Sequence, residues 1–209
     1  MILIEKTEVG GWEAAIRGMR NPMNSWDKSD SLFWPGHMQI GKADLDLMKR
    51  LVASGTDHSK FMRFIIVTAD ITAPLYWYKE FETYKVGTVS NSCSTMHKIQ
   101  AKEFTIDDFS HEHLLSDEPI PTRFYSAEGM VEATVENLNM FRNLYLETKD
   151  KCYWWQMIQL LPSSYNQKRT VLLNYAVLRN MYHARKNHKL DEWHQFCAWI
   201  ETLPFSELI

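Results

Sequence analysis

The stretch from Leu160 to Trp193 constrains the fold most. It opens with Leu160-Leu161-Pro162, runs through Asn174, Leu178, Met181 and Arg185, and ends with His188, Asp191 and Glu192. Its periodicity predicts a helix over 170–185. Asn174 and Arg185 stand eleven residues apart. That is about three turns at roughly 100° per residue, so both project from nearly one face. An amide and a guanidinium sharing a stripe with Leu178 and Met181 do not make a plain core helix. The face reads as packed in part and turned toward a polar ligand in part.

Helical patterns surround this stretch, over 153–161 and 191–203, with a longer one over 127–146. In the last, Val131, Val135, Leu138 and Phe141 form the apolar side and Ser126 is the expected cap. The first half is mixed. A short strand is expected at 2–4, and a short helix at 12–19 with Trp12, Ala15, Ile16 and Met19 on one side. Residues 20–40, with Pro22, Pro35 and Gly36, read as loop. An amphipathic helix follows over 44–53, with Leu47, Met48, Leu51 and Val52 inward and Gly55 as its stop. Residues 61–71, rich in β-branched and aromatic side chains, are the strongest strand candidate. Pro74 suits the opening of a helix over 75–84. Residues 85–98 are small and polar and cannot form a core, and 100–122, with Pro119 and Pro121, read as a second irregular region. There is no repeat, low-complexity segment or domain linker. The 209 residues are expected to form one α+β domain over 1–209, with strands in the first half and helices dominating the second.

Composition removes several functions. A net charge of −3 without any basic run argues against a nucleic-acid binder. Cys93, Cys152 and Cys197 are odd in number and widely spaced, which reads as reduced thiols in a cytoplasmic protein. Met1-Ile2-Leu3-Ile4-Glu5-Lys6 is not a signal peptide, and no segment approaches the ~18 apolar residues of a membrane helix. Eight Trp, nine Tyr, ten Phe and eleven Met are enough large side chains to fill a core and to line subunit interfaces or a flat-ring ligand site as well.

Motifs narrow the chemistry. His111-Glu112-His113 lacks a third ligand at a diagnostic spacing, and His183, His188 and His194 match no common zinc pattern, so no metal site is expected. Ser90, Ser92, Cys93, Ser94 and His97 share one polar loop without a Gly-x-Ser-x-Gly elbow. Ligand contact fits this loop better than nucleophilic catalysis. Neither a GxGxxG nor a GxxxxGK[ST] motif is present, so a dinucleotide would bind by another geometry. Arg185 suits bidentate contact with phosphate or carboxylate. Its structural alternative is pairing with Asp191 or Glu192.

The order Leu161-Pro162, Asn174-Tyr175-Ala176-Val177-Leu178, Asn180, Arg185, His188 and Glu192 resembles the flavin-dependent thymidylate synthases (the ThyX family). That family shows a Leu-Pro, an Asn-x-Arg-x-Leu helix, an Arg, a His and an acid in this sequence. Upstream, Arg17-Gly18-Met19-Arg20 with Ser25 is similar to the family's early Ala-Arg-x-Ser segment, and Gly55, His58 and Phe61 to its Gly-His-x-x-x-Phe-Glu-His entry. The family signature Arg-His-Arg-x-x-Ser-x-Asn-x-x-Ser-x-Arg-Tyr is altered. Lys85-Val86-Gly87 stand where Arg-His-Arg belongs, and His97-Lys98 where Arg-Tyr belongs. One register keeps Ser90; a register shifted by one keeps Asn91 and Ser94. Met157-Ile158 replace the Ala-Arg pair before Leu-Pro, and Ala176 replaces the helix arginine.

The resemblance implies a ThyX-like subunit of a cytoplasmic homotetramer, with a small, mostly antiparallel sheet. It implies FAD as cofactor, NADPH and methylene-tetrahydrofolate as co-substrates, and dUMP or a related pyrimidine nucleotide as substrate. In that chemistry reduced flavin supplies hydride and dUMP is methylated to dTMP. By the same resemblance Arg185 is the catalytic group, contacting the pyrimidine. Ser90, Asn91 and Ser94 contact the nucleotide, and His58, Lys85, His97, Asn174 and His188 contact the cofactor. The altered signature keeps a second expectation open: a non-catalytic homologue that binds a nucleotide, flavin or protein partner on the same scaffold.

Overall fold

The computed structural model describes residues 1–116 and 126–209. Pro119 and Pro121 of the expected irregular region lie outside them. The chain is α+β, with seven α-helices among the described residues and a small antiparallel sheet. Its elements are β1 (Leu3–Gly10), α1 (Trp12–Arg20), β2 (Leu32–Trp34), β3 (His37–Gln39), α2 (Lys42–Ala53), β4 (Ile66–Pro74), α3 (Leu75–Phe81), β5 (Val89–Ser92), α4 (Ala127–Thr148), α5 (Lys151–Leu160), β6 (Asn166–Asn174), α6 (Tyr175–Arg185) and α7 (Asp191–Glu201). The main sheet has the order β1-β4-β6-β5, and β2 and β3 form a separate hairpin. Contacts divide the chain into two compact units. One comprises 1–3, 72–82 and 92–169; the other comprises 4–71, 83–91 and 170–209.

In the first unit, α4 and α5 pack on each other. Leu138 and Met157 join Ile99, Phe104 and Phe109 in a buried cluster, with Val131, Val135, Phe141 and Tyr145 packed against it. The expected apolar side of α4 is therefore the side that is used. The Ser126 hydroxyl accepts from the Gly129 amide at 3.0 Å, closing one donor that a helix start leaves open.

In the second unit, Trp12, Ala15 and Ile16 of α1, Met48 of α2, Leu178 and Met181 of α6, and Trp193, Phe196 and Ile200 of α7 are all buried. Trp12 meets Tyr175 edge-on with centroids 5.3 Å apart. The same unit holds an ion pair hidden from solvent. Arg20 Nε donates to Asp44 Oδ1 at 2.7 Å, with the two residues 4 % and 0 % exposed. The other carboxylate oxygen of Asp44 accepts from the hydroxyls of Ser29 and Ser31, each at 2.7 Å, while Arg20 also donates to the carbonyls of Ser25 and Lys28. A buried charge survives only when fully paired, and this pair ties down 25–31. At the start of α2, Gly41 has no side chain to cap with. The Asp30 carboxylate substitutes, accepting from the Ala43 and Asp44 amides at 2.8 and 3.0 Å.

Three sequence expectations are corrected. Residues 20–40 are not loop throughout, because β2 and β3 pair antiparallel with Trp34 opposite His37. The turn is Pro35-Gly36, and Gly36 takes φ +79°, the turn position that glycine fills without strain. The strong strand begins at Ile66, not at residue 61. Phe61 and Met62 are both buried, which breaks the in–out alternation of a half-buried strand and suits the 3₁₀ turn Lys60–Arg63. In β4 itself Val67, Ala69, Ile71 and Ala73 are buried while Thr68, Asp70 and Thr72 are half-buried, the alternation of a strand. The helix expected over 170–185 is half strand. Val171 and Leu173 of β6 are buried on either side of half-buried Leu172, so their period is 2, and the helix starts only at Tyr175.

Candidate functional site

Correcting that boundary changes what Asn174 does. It is the cap of α6, not a member of its face: Oδ1 accepts from the Val177 amide at 3.0 Å. Asn174 and Arg185 therefore stand at opposite ends of α6, roughly 16 Å apart along the axis at 1.5 Å per residue. The segment 84–88 ties to both ends. At one end Asn174 Nδ2 reaches the Gly87 carbonyl at 3.4 Å. At the other, Arg185 Nε donates to Tyr84 Oη at 2.9 Å. Gly87 has φ +86°, and a Cβ there would lie 2.8 Å from Asn174 Nδ2. The positive φ is thus what requires glycine here, and a Cβ would also have to displace the Asn174 amide.

Arg185 sits in an aromatic corner. Its guanidinium carbon lies 5.6 Å from the Tyr84 ring centre and 5.0 Å from that of Trp193. The two rings meet edge-on, with centroids 6.1 Å apart at 70°. Trp193 is fully buried and Arg185 half-buried. A planar cation stacked on fixed rings and hydrogen-bonded to a phenol keeps few rotamers. It meets a ligand with little further ordering cost.

His188 closes the same corner. Its ring lies 6.3 Å from Trp193, its amide donates to the Arg185 carbonyl at 2.9 Å, and its Nδ1 accepts from the Leu190 amide at 3.2 Å. The turn between α6 and α7 thereby fixes which ring nitrogen accepts. Glu192, also buried, follows at the start of α7.

The other expected residues are spread more widely. Lys85 is exposed just after Tyr84, and Ser90 and Asn91 are exposed in β5. His58 is exposed in the turn after α2, where its amide donates to the Gly55 carbonyl at 3.2 Å. Ser94 and His97 belong to the other compact unit. There the Ser94 hydroxyl accepts from the Met96 and His97 amides at 3.2 and 2.9 Å. The hydroxyl-rich loop thus uses Ser94 in its own turn, and Cys93 in its backbone pairing with Lys168 at 2.9 Å.

Two residues were missed in the sequence. Tyr84 carried no motif signal, because its role depends on a contact 101 residues away. Arg179, on α6, is half-buried with an Nε that has no acceptor among the described residues. A guanidinium nitrogen buried without a partner is costly unless an acceptor completes it. A second arginine beside Arg185 on the helix after Asn174 was the available signal.

No family model matches the chain, and no curated protein matches it in sequence. Solved structures do match it in shape. An α+β chain with this element order has the fold of the flavin-dependent thymidylate synthases. Thymidylate synthase X (ThyX) from Helicobacter pylori, solved with FAD and dUMP, superposes with a TM-score of 0.71 at 16% identity, over 100% of this chain and 96% of that one. A second structure of the same enzyme with FAD and dUMP gives 0.69 at 17% identity, over 98% and 95%. The UMP/dUMP methylase PolB from Streptomyces cacaoi, bound with 5-Br dUMP, gives 0.62 at 14% identity, over 100% and 94%. Among the described residues, no helix is long and apolar enough to cross a membrane.

Proposed function

We propose that this chain is a divergent member of the flavin-dependent thymidylate synthase family, acting as one domain over 1–209 in a cytoplasmic homotetramer. Its substrate is dUMP or a related pyrimidine nucleotide, and its reaction is reductive methylation to dTMP with methylene-tetrahydrofolate and NADPH. The observation that carries this reading is the fixed Arg185 guanidinium between Tyr84 and Trp193 on a fold shared with a dUMP-bound ThyX and a UMP/dUMP methylase.

Arg185 contacts the pyrimidine and stabilises the negative charge that builds on the ring as its carbon becomes nucleophilic toward the one-carbon unit of methylene-tetrahydrofolate, which hydride then reduces to methyl. Tyr84 and Trp193 position it. Ser90, Asn91 and Ser94 contact the nucleotide through their hydroxyl and amide groups.

An anionic dinucleotide needs cations and N–H donors, and the chain's own groups fit that need. The buried, unaccepted Nε of Arg179 and the ammonium of Lys85 supply positive charge, and Asn174 Nδ2 keeps a proton beyond its long contact to Gly87. FAD would be held by these groups with His58, His97 and His188, and when bound and reduced it supplies hydride.

A second reading rests on Lys85-Val86-Gly87. Each charged hydrogen bond to phosphate contributes about 1.5–3 kcal/mol. Replacing the family arginines there therefore weakens nucleotide binding by orders of magnitude unless Arg179 and the lysines compensate. Without compensation the chain is a non-catalytic homologue that binds a nucleotide, flavin or protein partner. The test is oxidation of NADPH by the FAD-loaded protein with and without dUMP. Stimulation by dUMP supports the synthase reading; flavin binding without any turnover supports the second.

A further inference from the structure

A cavity of about 390 Å³ lies within the first unit, walled by His97, Gln100, Tyr145, Lys149, Lys151 and Trp154. That volume is in the range of small-molecule sites. Its walls combine two ammonium groups and an imidazole with a phenol and an indole, and no carboxylate is among the described residues lining it. The nearest acid in sequence, Asp150, is occupied: its carboxylate accepts from the Cys152 amide at 2.9 Å and caps α5. The walls are fixed. Trp154 Nε1 donates to the Met96 carbonyl at 3.0 Å. Lys149 stands in a left-handed conformation that ends α4. Lys151 holds its ammonium 5.8 Å from the Trp154 ring centre and 5.7 Å from that of Trp155. Gln100 donates from Nε2 to the His97 carbonyl at 3.3 Å, and its buried Oε1 has no donor among the described residues.

We infer that this cavity is a binding site for a small anionic heterocycle of the mononucleotide class. Its phosphate or carboxylate pairs with Lys151 and with Lys149, whose ammonium also donates to the Leu146 carbonyl at 2.6 Å, and its flat ring lies against Trp154 and Tyr145. Lysine ammonium groups suit an anion as point charges, and base–aromatic stacking tolerates any flat ring. The inference does not rest on the role proposed for Arg185, which belongs to the other unit; His97 is the one residue shared with the proposed cofactor contacts.

The test titrates the purified full chain with AMP, adenosine and inorganic phosphate, reading heat and the quenching of tryptophan fluorescence. The expected result is saturable AMP binding. Adenosine and phosphate each bind at least tenfold more weakly, and Lys149→Ala/Lys151→Ala weakens AMP at least tenfold. Lys42→Ala, at an exposed lysine of the other unit that belongs to neither proposed site, serves as the control and leaves AMP binding as in the parent. Lys149 and Lys151 are both exposed. Should the double variant fail to fold, Lys151→Gln alone is expected to weaken AMP severalfold. Absence of saturable AMP binding at millimolar concentration overturns the inference. So does a Lys149 or Lys151 variant that binds AMP as the parent does, or loss of AMP binding in Arg185→Ala, which would assign the nucleotide to the other unit.

Discussion

At the scale of single residues, Arg185 and Asp44 are both held by several partners, and the two make opposite predictions. Arg185→Ala removes a half-buried cation but leaves Tyr84 and Trp193 packed, so folding is expected to survive while dUMP affinity falls at least a hundredfold. Calorimetric titration of dUMP into a variant with an unchanged melting temperature checks this. Tyr84→Phe removes only the hydroxyl that Arg185 donates to. About tenfold weaker dUMP binding is expected, in line with one lost charge-assisted hydrogen bond. Asp44 makes the reverse case, a change that costs stability. Burial pushes its carboxyl up, but hydrogen bonds from Ser31, Ser29 and Arg20 and the Arg20 charge outweigh burial and hold it below the ordinary carboxylate value. Its folded pKa is thus depressed relative to the unfolded chain. The pair's contribution is fully present above the ordinary value, roughly pH 4, and is lost as pH falls through the folded value. Asp44→Ala strands a buried Arg20, a loss of about 3–5 kcal/mol, which a denaturant melt at neutral pH would measure. The sequence singled out Arg185, His188 and Glu192, and the structure brings Arg185 and His188 together around Trp193. The Arg20–Asp44 pair was not legible, since nothing local signals that an aspartate on an amphipathic helix faces inward to an arginine on another.

At the scale of elements, the long helices could be read from the chain and the junction between β6 and α6 could not. Ser126 and the apolar stripe of α4 gave that helix both its start and its buried face. In β6 the buried Val171 and Leu173 run straight into the apolar face of α6, so one continuous apolar pattern hides a change of period from 2 to 3.6. The cap itself was in view: Asn174 is a residue type that starts helices. The hairpin β2–β3 was concealed for a different reason. Its strands are three residues each, too short for alternation to register against a background of Ser and Pro. Gly87 shows how tightly an element end can be set. Gly87→Ala forces a side chain into a positive φ and against Asn174 Nδ2. The expected result is a stability loss of about 1–2 kcal/mol and a displaced cap. Thermal melts of Gly87→Ala beside Asn174→Ala, expected to lose about 1 kcal/mol, would show whether the two effects share one cause.

At the scale of the whole molecule, fold and chemistry come from different amounts of sequence. Matches to the H. pylori enzyme at 16–17% identity preserve the element order across nearly the whole chain, because hydrophobic periodicity and caps tolerate exchange of residues. A phosphate site does not tolerate it, since lysine and glycine cannot reproduce an arginine fork. That is why the fold was legible and the cofactor site was carried only as a resemblance. The assembly is checked by light scattering on the purified protein, where a mass near four times 24.6 kDa is expected and a monomer mass contradicts the tetramer. The most direct measurement of the central claim is the absorbance spectrum from 300 to 550 nm, taken after FAD is added and the excess removed. Flavin bands that persist, in stoichiometric amount with the chain, are the expected result. A spectrum without flavin would contradict the account.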